Sequence, residues 1–211
     1  MDVVIAGGHG QIALRLARLL AARGDRVRAL IRNPGHVADV EATGAEAVLA
    51  DLERDDLAGA VAGADAVVFA AGAGPGSGPE RKRTVDLGGA VKLIDAARAA
   101  GVPRYVMISA IGARDPAGGS EAMRPYLEAK AEADAAVASS ALEYTIVRPG
   151  RLTDEPGTGR VQAAERPERG DITRDDVAAT LVAVLDEPRT VGRTFDLVQG
   201  DTPIAQALAQ L

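Results

Sequence analysis

Tyr126 and Lys130 stand four residues apart in a stretch that reads as helix, so their side chains share one face. An ammonium beside a phenol stabilises the phenolate and lowers its pKa toward working pH, which equips the tyrosine to exchange a proton with a substrate oxygen. The chain has three tyrosines and three lysines. A chance pair at this spacing therefore has odds on the order of a few per cent. Ser109, at the end of an expected strand, can hydrogen-bond the same oxygen. The bland alternative is a surface tyrosine lying over a lysine stem.

A second group of residues suits phosphate. Gly7-Gly8-His9-Gly10-Gln11-Ile12-Ala13 follows a short apolar run and opens an amphipathic segment. It satisfies both Gly-x-x-Gly-x-x-Ala and Gly-x-Gly-x-x-Ala, the turn whose backbone amides and helix dipole hold a dinucleotide pyrophosphate. The next strand ends in Arg32-Asn33 instead of the acid that would hold the ribose hydroxyls of NAD. A guanidinium there pairs with a 2′-phosphate, so NADP(H) is expected over NAD(H). Asp51 and Leu52 are placed to meet the adenine, although a plain cap reads nearly as well for Asp51. Ala70, Ala71 and Gly72 offer close backbone approach. The expected cofactor set is thus Gly7, Gly8, His9, Gly10, Gln11, Ile12, Arg32, Asp51, Leu52, Ala70, Ala71 and Gly72, joined on the reactive side by Ser109 and Lys130.

These residues need a sheet to position them. Strands are expected over 3–6, 27–31, 47–50, 66–70, 105–108 and 144–147, and helices over 11–23, 35–43, 57–61, 80–100, 121–139 and 174–186. The alternation predicts α/β architecture, a Rossmann three-layer sandwich, and the nearly continuous hydrophobicity of the strands predicts helices on both faces. The first helix is expected to turn Ile12, Leu16, Leu19 and Leu20 toward the sheet, and Gly24 and Gly101 to end their helices. Segments 72–79, 112–119 and 151–170 are too rich in Gly, Pro and charge for regular elements, and all three can surround the carboxyl edge where ligands bind.

Composition narrows the function. The 211 residues, 47% hydrophobic, are read as one domain, 1–211, with a small substrate-side region from loops 72–79, 112–124 and 151–173. With no cysteine there is neither a disulfide framework nor a thiol nucleophile. A net charge of −6 argues against nucleic acid, and no leader-like or membrane-spanning run is present, so a cytoplasmic protein with a small-molecule substrate is expected. His9 reads as a polar turn residue, and His36 as an ordinary surface histidine too distant for a shared metal site. Arg81-Lys82-Arg83 can attract an anion but reads first as a solvated helix face.

Taken together, the residues resemble the short-chain dehydrogenase/reductase superfamily, in its atypical NAD(P)H-binding branch whose members carry epimerase/dehydratase or sugar epimerase names. The likeness covers nearly the whole chain. It runs through Gly7, Arg32, Asp51-Leu52, Ala70-Ala71-Gly72, Val85-Asp86, Ser109, Tyr126-x-x-x-Lys130 and Arg148-Pro149-Gly150 to Ile172-Thr173-Arg174-Asp175-Asp176-Val177-Ala178. It implies strand order 3-2-1-4-5-6 with room for an extra edge strand, catalytic roles for Ser109, Tyr126 and Lys130, and Pro149 and Gly150 beside the nicotinamide. Relatives often pair through helices flanking the sheet, so a homo-oligomer is compatible with the resemblance. Where the superfamily commonly has an active-site asparagine, Asp86 stands here, and an ionised aspartate can only accept hydrogen bonds. If it faces Lys130, it holds that ammonium and disfavours a nearby phenolate.

The expected function is an NADP(H)-dependent oxidoreductase, or an epimerase/dehydratase-like enzyme, acting on a small carbonyl or hydroxyl substrate by hydride transfer. About sixty residues follow Gly150, fewer than a nucleotide-sugar domain requires, which favours a compact carbonyl, enone or quinone-like substrate. The alternative is a non-enzymatic NADP(H)-binding redox sensor, which shares the cofactor residues but has no need of a phenol at 126.

Overall fold

Runs such as Val3-Val4-Ile5 and Ala66-Val67-Val68-Phe69 carry β-branched or bulky side chains at successive positions, which suits strands buried on both faces. In the computed structural model, which describes residues 1–74 and 76–211, they form that kind of sheet. Pro75, within the expected 72–79 loop, lies outside the described residues.

The parallel strands are β1 (Asp2–Ala6), β2 (Arg26–Ile31), β3 (Glu46–Leu49), β4 (Ala66–Phe69), β5 (Arg104–Ile108) and β6 (Glu143–Pro149). Their order is β3-β2-β1-β4-β5-β6. Register is continuous across the centre, with Ile5 beside both Ala29 and Val68. The helices between them are α1 (Gln11–Arg23), α2 (Val37–Glu41), α3 (Ala58–Val61), α4 (Pro79–Lys82), α5 (Gly89–Ala99) and α6 (Arg124–Ala138).

The carboxyl-terminal third extends the sheet further than the one extra edge strand expected. Segment 151–170, read as irregular, contains β7 (Arg151–Thr153) and β8 (Arg160–Ala164), followed by β9 (Asp171–Thr173), α7 (Arg174–Asp186), β10 (Arg193–Gln199), β11 (Thr202–Pro203) and α8 (Ile204–Leu208). β10 lies parallel to β6, β8 runs antiparallel to β10, and β11 antiparallel to β8. β7 and β9 pair separately. The reason these were missed is local. β8 alternates exposed Arg160 and Gln162 around buried Val161, a half-buried pattern too short to stand out beside glycines and charges.

Alternate residues of each strand feed two cores. Val3 and Ile5 pack with Leu16, Leu20 and Leu181 under α1 and α7. Val4, Phe69 and Met107 pack with Leu93, Ala97 and Val137 under α5 and α6. Each fully buried leucine contributes about 1.5–3 kcal/mol. Leu19 departs from expectation: it is 42% exposed, and Ala13 and Ala17 join Leu16 and Leu20 on the buried face instead. The expected helix 80–100 is also not uniform, because Arg83–Gly88 widens into a π-helical turn between α4 and α5. That turn carries Asp86 into the protein, where it is fully buried. Among the described residues no helix is long and apolar enough to cross a membrane.

Candidate active site

The β1–α1 turn is built for close backbone approach. Gly7 has φ +82°, and a Cβ there would fall 2.6 Å from the Ala71 backbone; a Cβ on Gly8 would fall 2.6 Å from the Ala29 side chain. Only glycine lets the turn wedge between the ends of β2 and β4. Gly10 N-caps α1 without a side chain, and the amides of His9, Gln11 and Ile12 find no acceptor among the described residues. Such orphan donors at a helix start fit an anion.

A cleft of about 250 Å3 opens beside this turn. Gly7, Gly8, His9, Gly10, Arg32, Asp51, Leu52, Ala70, Ala71 and Gly72 line it, as the sequence placed them. Gln11 does not line it, although its backbone belongs to the turn. Asp51 does double duty, since its Oδ1 also accepts from the Glu53 amide at 2.8 Å. Of the lining residues not foreseen as site residues, three carry polar side chains: His36, Arg81 and Glu53. His36, read as a surface residue, lines the cleft and stacks on His9 with ring centroids 3.5 Å apart, while His9 meets Asp39 at 2.9 Å. Even so, no metal-binding group of three His, Cys, Asp or Glu exists among the described residues. Arg81, read as a solvated helix residue, turns into the cleft, and its Nε is buried without a hydrogen-bond partner. Glu53 sits between the two arginines, 3.7 Å from Arg32 and 3.3 Å from Arg81, and accepts from Thr84 Oγ1 at 2.6 Å.

A second cleft, of about 720 Å3, shares Ala70, Ala71 and Gly72 with the first. Ile12, Ser109, Tyr126, Lys130, Pro149 and Gly150 line it. The fold thus gathers residues from β1–α1, β4, β5, α6 and β6 at one carboxyl edge. Gly150 is required there by contact, since a Cβ would fall 2.1 Å from the Gly170 carbonyl oxygen.

Lys130 is buried, and three oxygens surround its ammonium: Ile108 O at 3.1 Å, Ala71 O at 3.3 Å and Asp86 Oδ1 at 3.4 Å. Asp86 lines neither cleft but lies behind Lys130, with Oδ2 accepting from the Ala73 amide at 3.1 Å. Burial pulls the Lys130 pKa down, opposed by the charges of Asp86 and Asp134. Tyr126 is half-buried, with its ring centroid 6.0 Å from Lys130 Nζ. The Tyr–Lys spacing alone predicts a lowered phenol pKa, and here the direction is reversed. Burial, and then the negative charges of Asp86 and Asp134, push Tyr126 well above the usual phenol range. The physical reason is burial of the phenol first, with Asp86, which faces Lys130, adding negative charge nearby. The Tyr126 hydroxyl is therefore held in its protonated form.

Asp134 went unnoticed in the sequence, although it continues the four-residue stripe from Tyr126 and Lys130. Its Oδ2 accepts from Arg148 Nε at 2.8 Å, which ties α6 to β6 just before Pro149. Burial raises its pKa against the pull of Arg148. Ser109 lies close enough to help hold that charge, yet its Oγ is buried without a hydrogen bond of acceptable geometry.

A central parallel sheet with order 3-2-1-4-5-6, a glycine turn at its carboxyl edge and an adjoining cleft lined by Ser109, Tyr126 and Lys130 define a Rossmann-type protein. The chain belongs to the NAD(P)H-binding family, whose model matches residues 7–188. It is 49% identical to "Uncharacterized sugar epimerase YhfK" of Bacillus subtilis, with both chains covered in full. Among solved structures, a Bacillus halodurans protein named provisionally as an NAD-dependent epimerase/dehydratase superposes with TM-score 0.96 at 41% identity, each chain covered in full. The oxidoreductase ylbE of Lactococcus lactis superposes with TM-score 0.89 at 30% identity over 100% of this chain and 96% of that one.

Proposed function

We propose that this chain is an NADP(H)-dependent oxidoreductase, or an epimerase/dehydratase-like enzyme using the same hydride chemistry, acting on a small carbonyl or hydroxyl substrate. The observation that carries the reading is the continuity of the two clefts through Ala70, Ala71 and Gly72, with Tyr126 and Ser109 on the far side. The orphan amides of the glycine turn and the unpartnered Arg81 Nε fit a phosphate-rich cofactor. Gly7, Gly8, His9 and Gly10 would hold its pyrophosphate, Arg32 and Arg81 its 2′-phosphate, and Lys130, Pro149 and Gly150 its reactive end.

A bound nicotinamide supplies or accepts the hydride. Ser109 Oγ, beside Asp134 but without a hydrogen bond of acceptable geometry among the described residues, orients the substrate oxygen. Tyr126, kept protonated by its surroundings, donates a proton to that oxygen when the carbonyl is reduced. Lys130 fixes the local backbone through Ile108 and Ala71 and carries positive charge beneath the site. The reading places the whole of 1–211 in one cofactor-binding domain, with its substrate side formed by 72–79, 112–124 and 151–173.

Titration with NADPH and NADH tests it. NADPH should bind the wild type more tightly than NADH, and Arg32→Ala should cost NADPH roughly ten- to a hundred-fold in affinity, as expected for losing a charge-assisted bond, while leaving NADH unchanged. Equal affinities in the wild type overturn the NADP(H) preference, and binding of neither nucleotide overturns the cofactor reading. The charge of Glu53 opposes a 2′-phosphate, so Glu53→Gln should tighten NADPH binding by roughly two- to five-fold, a screened Coulomb effect, without moving NADH. Isothermal titration calorimetry reads both variants.

A further inference from the structure

Four charged side chains line the cleft beside Tyr126: Lys130, Arg151, Arg169 and Asp171. Lys130 is matched by Asp86 at 3.4 Å. Arg151 is matched by Asp171, which accepts from its Nε at 2.8 Å and from a second guanidinium nitrogen. Arg169 alone is left over: among the described residues no carboxylate lies within ion-pair distance of it. In a chain of net charge −6, which repels anions at large, the cleft thus presents one uncompensated cation.

Its place is held by backbone. The Arg151 amide donates to Gly170 O at 3.0 Å, Gly150 presses on the same carbonyl, and the pairing of β7 with β9 sets Arg151 beside Asp171. Arg169 is therefore anchored at its next residue, and the residue is exposed where it lines the cleft. The remainder of the cleft is largely apolar, with Ile111, Met123 and Leu127 on the stretch leading to Tyr126. A cleft of that composition suits a molecule with an apolar body and one anionic end. A guanidinium binds a planar carboxylate with two parallel bonds.

We propose that the substrate is a carbonyl compound bearing a carboxylate, held by Arg169 while its carbonyl oxygen lies at Tyr126 and Ser109. The proposal rests on the oxidoreductase reading and names its substrate class. Arg169 acts as a specificity-determining residue, and its exposure means that its removal leaves the fold intact.

The test uses full-length protein saturated with NADP+, titrated with a series of phenyl keto acids of increasing chain length, from benzoylformate upward, each paired with its methyl ester. Binding is followed by ligand-observed NMR and thermal shift. At least one acid should bind the wild type roughly ten-fold more tightly than its ester, the gain expected of a charge-assisted bond. Arg169→Ala should abolish that difference without weakening the ester, and Arg166→Ala, a neighbouring exposed arginine outside the cleft, should leave it intact. Acids and esters binding alike, equal loss in both arginine variants, or no binding of any pair while NADP+ binds, each overturns the substrate class and leaves the cofactor reading standing. Failure to bind NADP+ overturns the reading beneath it, and the proposal falls with it.

Discussion

Tyr126→Phe is expected to lower kcat for carbonyl reduction by about 10²- to 10⁴-fold, the range that one positioned acid supplies, with NADPH affinity held within about a factor of two. The substitution removes a hydroxyl that makes no hydrogen bond among the described residues, so the ring and its packing remain. Stopped-flow reduction with NADPH separates the chemical step from binding. A non-enzymatic sensor would show no turnover in either protein, and a variant retaining near wild-type kcat would take the proton-donor role away from Tyr126. The pH profile adds a sign. Protonated Tyr126 is the active form for reduction, and burial together with Asp86 and Asp134 holds its pKa above the ordinary phenol value. The active form is lost only as pH rises through that elevated pKa. Reduction should therefore stay level through the alkaline range where a free phenol, near pKa 10, would begin to ionise. A decline setting in below about pH 9 would mean that Lys130, not burial, governs the phenol.

The second large effect falls on stability. Lys130→Met should cost about 3–5 kcal/mol, because it leaves the fully buried Asp86 carboxylate without its cation and two backbone carbonyls without their donor. Adding Asp86→Asn to that variant should recover a substantial part of the loss, since the uncompensated charge is then gone. Urea unfolding of the wild type, both single variants and the double variant measures the coupling directly. Additive losses would show that Asp86 and Lys130 do not stabilise one another across the 3.4 Å that separates them.

How much of this was legible in the chain depended on whether a residue's role was local. The glycine turn, Arg32 and the strand ends could be placed because each is specified by neighbours within a few positions and by a two- or 3.6-residue period. Tyr126 and Lys130 could be paired for the same reason. What could not be read was mutual placement across the fold. The stack of His36 on His9, and Glu53 lodged between Arg32 and Arg81, depend on segments brought together only by the crossover topology. The direction of the Tyr126 shift came first from burial and then from Asp86, whose effect was foreseen only on condition that it faced Lys130, a placement that depends on a π-helical turn no pattern of apolar residues announces. Leu19 illustrates a smaller limit. The buried face of α1 is centred on Ala13, Leu16, Ala17 and Leu20, in the cluster that also holds the buried residues of α7, and Leu19 lies to the side of it.

The short last strand has a consequence for how copies of this protein meet. Open sheets invite addition of another chain along an unpaired margin, because free amides and carbonyls there template a new strand. Here one margin is β11, two residues long, whose Pro203 has no amide hydrogen to offer and is followed at once by α8. The opposite margin is β3, only four residues long and begun by the charged Glu46. Both borders are therefore short templates for an extended partner, and Leu49 at the second is 59% exposed.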